Sequence, residues 1–61
     1  MDFKTLYNHC SFIIKDAPHL TDIILNELRR VDELIASNED ERFVRKTCQD
    51  SFRLVTMIHI E

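Results

Sequence analysis

The chain of 61 residues contains no glycine, no tryptophan and one proline, Pro18. Glycine reaches the left-handed backbone angles that hairpins, bulges and helix C-caps require, so its absence argues against a turn-rich β domain. It also removes the chemistry built on glycine-dependent backbone: phosphate-cradling loops, dinucleotide fingerprints and nucleophile elbows. Cysteine is scarce, and Cys10 and Cys48 form one bridge at most. No apolar run approaches the roughly 20 residues that span a bilayer. The longest, Leu54 to Ile60, is interrupted by Thr56 and His59. The opening Met-Asp-Phe-Lys lacks the apolar stretch of a secretory signal. The expectation is a cytoplasmic protein with reduced thiols and no membrane contact.

What the chain does have is helical periodicity and segregated charge. The net charge of −3 is uneven. Residues 16–41 carry Asp16, Asp22, Glu27, Asp32, Glu33, Glu39, Asp40 and Glu41 against Arg29 and Arg30. Residues 42–61 carry Arg42, Arg45, Lys46 and Arg53 against Asp50 and Glu61. Such polarity can orient one subunit against another, but it does not specify a fold.

Three amphipathic segments are expected, over about 3–17, 21–36 and 39–57. In the first, Phe3, Leu6, Tyr7, Cys10, Ile13, Ile14 and Ala17 fall in one stripe. Asp2 is a plausible N-cap, and Pro18 ends the helix because the residue before a proline is pushed out of the helical region. In the second, Leu20, Ile23, Ile24, Leu28, Val31, Leu34 and Ile35 share a face, with Thr21 or His19 at the boundary and Thr21 read as the N-cap. Ser37-Asn38 closes it. Asn38 followed three residues later by Glu41 has the spacing of a capping box for the third segment. There Val44, Cys48, Ser51, Phe52, Val55 and Ile58 form one face, which Phe43, Leu54 and Met57 broaden. Its end also reads as a period-two strand over Phe52, Leu54, Thr56, Ile58 and Ile60. A lone strand would need pairing across a dimer.

The fold expected is therefore all-α. It is either a small three-helix bundle or a helical hairpin with a C-terminal arm, and a homodimer completes it. The last element follows from size, because a chain this short buries only roughly 60% of its unfolded surface and small domains commonly take support from a second subunit.

Candidate sites are few. His9, Cys10, His19, Cys48 and His59 contain no pair at metal-ligand spacing, so no metal and no cofactor is expected. Cys10 and Cys48 sit in apolar stripes, where a free cysteine behaves as a small hydrophobe. A Cys–His nucleophile pair is formally possible, but nothing specifies an oxyanion donor or a pocket, and no enzyme is expected.

Glu27 lies within an apolar stripe. It is either an acid that fixes a partner or register, meeting Arg30 one turn on or a base across an interface, or a stripe-edge residue reaching water. Phe12 projects opposite its helix's stripe, and Leu25 leaves the second helix's stripe near Arg29 and Asp32. Coverage by another chain, burial within the monomer and plain exposure are all open for Phe12. Arg42, Arg45, Lys46, Gln49 and Arg53 form a basic ridge on the third helix, within about 100° of arc. The leading expectation is a small regulator or adaptor that binds itself and a larger protein, with Phe12 and Leu25 as apolar contacts and Arg42, Arg45 and Lys46 setting orientation. The alternative is a nucleic-acid-binding regulator using the ridge, which the net negative charge weakens.

Overall fold

A computed structural model describes residues 1–60. Helix α1 spans Phe3–Asp16, α2 spans Thr21–Ala36 and α3 spans Glu41–Ile60, with a short 3₁₀ turn at Pro18–Leu20 between the first two. Each helix packs on both others. The described residues contain no strand. The core is Leu6, Cys10, Ile13, Ile24, Leu28, Val31, Cys48 and Val55, drawn from all three apolar stripes.

The ends of the helices show how a glycine-free chain makes its turns. Asp2 caps α1 as expected, its Oδ1 accepting from the Thr5 N–H at 2.9 Å. Hydrogen bonding from the Thr5 side chain, then from its N–H, holds the Asp2 carboxyl below the usual aspartate value, and the N-terminal amine and Arg45 add to the effect. Pro18 stops α1, leaving Ala17 as its C-cap.

Thr21 does not cap α2. It already has helical angles, because the 3₁₀ turn feeds directly into the helix. Its hydroxyl donates back to the Pro18 carbonyl at 2.6 Å.

The capping box at Asn38 does not form either. Asn38 has φ 59° and occupies the left-handed position that glycine usually fills after a helix. Its N–H donates to Ile35 O, and the Glu39 N–H donates to Leu34 O, the paired bonds of a Schellman motif. With Asn38 ending α2, the cap of α3 falls to Asp40. Its Oδ1 accepts from the Arg42 N–H at 2.7 Å, and α3 starts at Glu41 rather than residue 39.

The strand and arm readings of the C-terminus are overturned: α3 runs as helix to Ile60, past residue 57. The β-branched residues are tolerated because α1 holds the last turns. Val55 is fully buried, Thr56 accepts a bond from α1, and His59 reaches Asp16. The Thr56 hydroxyl also bonds back to Phe52 O, which removes its competition with the helix backbone.

Candidate interaction surface

Two seams flank α3. On the α1 side the ring of His9 stacks on Phe52, with centroids 3.9 Å apart and planes 19° off parallel. His9 Nε2 lies 2.9 Å from Thr56 Oγ1. Because the Thr56 hydroxyl already donates to Phe52 O, it can only accept here, so Nε2 of His9 carries the proton. Burial pushes the His9 pKa below that of a free imidazole, and the neighbouring His59 pushes it the same way. Further along, His59 Nε2 donates to Asp16 Oδ2 at 2.7 Å. Phe12 stands edge-on to the His59 ring at 6.5 Å. Phe12 itself is 63% exposed. The structure therefore removes monomer burial as an account of Phe12 and leaves it at the rim of the α1–α3 seam.

On the α2 side the seam is charged. Arg30 Nη2 donates to Glu27 Oε1 at 3.1 Å and to Ser51 Oγ at 3.0 Å, while Ser51 Oγ donates to Glu27 Oε1 at 3.1 Å. The three atoms close a triangle around a hydroxyl that is itself fully buried. Glu27 is mostly covered, with its side chain 17% exposed, against 53% for Arg30. Of the two readings of Glu27, its pairing with Arg30 one turn on is the one realised, and the bonds of both side chains to Ser51 tie α2 to α3.

Leu25 joins neither seam. With Phe3, Tyr7, Leu28, Arg29 and Asp32 it lines an open cleft between α1 and α2. Phe12 and Leu25 are thus not one patch; they lie on opposite flanks of α1.

Arg42, Arg45, Lys46, Gln49 and Arg53 are all exposed along the outer crest of α3. Among the described residues one acid comes within 4.0 Å of a ridge cation, Glu41 at Arg45, and both of those side chains face solvent. The crest divides two flanks. Arg45 and Gln49 tilt toward α1, and Arg45 lies close enough to Asp2 to act on its carboxyl. Lys46 and Arg53 lie on the opposite edge of the crest, next to Met57 by helical spacing.

Cys10 and Cys48 are free and buried. Burial, with Glu27 adding to it, raises the Cys10 thiol to about 11, and burial raises Cys48 as well. Both therefore sit as packed hydrophobes. The described residues hold no group of three or more potential metal-ligating side chains, and no helix among them is long and apolar enough to cross a membrane.

Sequence reasoning missed three polar partnerships: Ser51 with Arg30, His9 with Thr56, and Asp16 with His59. The last two join residues more than forty positions apart. Only the place of Ser51 within an apolar stripe was a visible signal. No protein-family model, curated protein or solved structure gives a significant match to the chain.

Proposed function

We propose that this chain is a small regulatory or adaptor protein, without catalytic activity, that works as a homodimer and docks on a larger protein through its α1–α3 face. The observation that carries the reading is Phe12: a large aromatic residue 63% exposed, yet set against His59, which is itself tied to Asp16. Aromatic anchors held in place lose little side-chain entropy on binding and are favoured at interface hot spots. Arg42 and Arg45 stand on the same side of α3 and supply a basic edge that would orient an acidic partner surface. Leu25, on the far flank of α1, becomes a secondary contact at most.

The test is a capture experiment from the native host, using the wild type and Phe12→Asp as baits. Phe12→Asp should keep its helical circular dichroism and lose the proteins that the wild type retains. Arg45→Glu should weaken the same capture. Identical proteins retained by all three baits would overturn the assignment.

A second reading is kept alive by the crest of mostly unpaired cations, which could contact phosphates. Arg45→Ala with Lys46→Ala would then weaken nucleic-acid binding and flatten its salt dependence by about two counterions. A gel shift without binding at low salt would dispose of it.

A further inference from the structure

The α2–α3 face carries a pattern that complements itself, and we infer that it is the surface on which a second copy of this chain docks. This rests on the dimeric part of the proposed function and assigns its interface. Ile23, Phe43, Leu54 and Met57 are all at least 40% exposed. Phe43, Leu54 and Met57 share about 60° of arc on α3, and Ile23 shares its flank of α2 with Glu27 and Arg30. That flank faces α3, because Glu27 and Arg30 both reach Ser51.

The same contact sets the register. From Ser51, residue levels on antiparallel α2 and α3 run in opposite directions at about 1.5 Å per residue. Asp50 then stands level with Arg30, and Lys46 with Glu33. Ile23 falls between Leu54 and Met57, and half-buried Leu34 lies within a turn of Phe43. At the levels of Arg30 and Glu33 the other helix carries the opposite charge, and near Ile23 and Leu34 it is apolar; exposed Asn26, level with Leu54, is the polar exception.

A face with that property matches a copy of itself turned about a two-fold axis parallel to the helices. Such an axis sets α2 of each copy on α3 of the other and leaves the levels unchanged. Glu33 then meets Lys46 of the second copy, Arg30 meets Asp50, Ile23 meets Leu54 and Met57, and Leu34 meets Phe43. Arg30 is suited to this, since half of its side chain remains open beyond the triad. An axis perpendicular to the helices would set α2 on α2 and α3 on α3; placed to bring Arg30 to Glu33, it would carry Ile23 beyond the Ala36 end of the second copy's α2 and leave it uncovered. Charge admits a second copy, and the apolar levels together with the charges favour the parallel axis, giving a four-helix layer. A standard interface takes about 800 Å² from each partner, under about a fifth of the 4530 Å² surface of one chain. One whole hairpin face of a molecule 32 Å long can provide it. The α1–α3 face, with Phe12 and Arg45, stays free on both copies.

The test is a charge exchange read by solution mass. Glu33→Lys and Lys46→Glu change exposed side chains, so each should keep its helicity. Each alone should raise the dimer dissociation constant about ten-fold or more, because like charges then face each other at two symmetric places. Mixed in equal amounts they should form a heterodimer, in which both pairs are opposite again. Leu54→Asp, which removes apolar contact without reversing a pair, should also give monomer. The inference is overturned if a dimeric wild type keeps its mass in all three variants, or if the mixture forms no heterodimer. A monomeric wild type whose partner capture still depends on Phe12 would overturn this interface and leave partner docking standing.

Discussion

Helix α3 is held to α1 by a stacked imidazole and by hydrogen bonds from His9 to Thr56 and from His59 to Asp16, and to α2 by a carboxylate, a guanidinium and a buried hydroxyl. The first seam is aromatic and leaves its most exposed ring, Phe12, at the rim. The second puts its charges in the middle and leaves apolar side chains at both ends. A helix pair closed by charge at its centre has a fixed register, and register is what a self-matching face needs. A pair closed by a stacked ring tolerates more adjustment and suits an anchor that meets an unrelated partner. In the proposed function, this difference assigns self-association to one face and partner docking to the other.

The largest effect on stability should come from breaking the charged seam. Glu27→Ala leaves Arg30 and buried Ser51 without their shared acceptor and should cost about 2 kcal/mol. Arg30→Ala should cost about half as much, since its guanidinium is half open to water. Urea unfolding of the two variants checks the ratio, and equal losses would mean that the triad does not close as described.

The aromatic seam should respond less to truncation and more to pH. His9→Ala should cost about 1–1.5 kcal/mol through the lost ring contact and the lost bond to Thr56. The folded state holds His9 below the 6.5 of a free imidazole, so the unfolded chain takes up the proton first. The contribution is complete above that value and is lost as pH falls through the lowered folded value. Stability measured from pH 7.5 to 5 should therefore decline in the wild type, and the decline should be shallower in His9→Gln, which keeps a donor for Thr56. An identical pH profile in the two proteins would remove His9 from the account.

The smallest effect lies outside both seams. Asn38→Gly should stabilise by up to about 1 kcal/mol, because glycine adopts φ 59° without a Cβ penalty. Destabilisation would show that the Asn38 side chain does more than permit the turn.

The helices were legible in the sequence because period and proline are local signals. The stripes located the core, and Pro18 placed the end of α1. The caps were misread where two polar residues competed for one role. Asn38 offered a capping side chain to α3, but with no glycine nearby it was needed to end α2, so Asp40 took the cap. Thr21 lost its cap because a 3₁₀ turn, which periodicity does not reveal, already supplied the first helical residue. The strand reading of the C-terminus weighed β-branching without the α1 contacts that outweigh it.

The site was less legible. Phe12 stood out as a break in pattern, and its exposure agrees with that. Ile23, placed in the core stripe, is nearly half exposed, because it sits at the outer edge of the α2–α3 seam rather than inside the bundle. The proposed pairing of Glu33 with Lys46 of a second copy depends on register, and register is read from the contact between Glu27 and Ser51, 24 residues apart.

The division between the two faces is tested most directly by the molar mass, from light scattering, of Leu54→Asp beside Phe12→Asp. The account predicts that Phe12→Asp keeps twice the 7.3 kDa of one chain while Leu54→Asp falls to the single value. A Phe12→Asp monomer beside a Leu54→Asp dimer would contradict it.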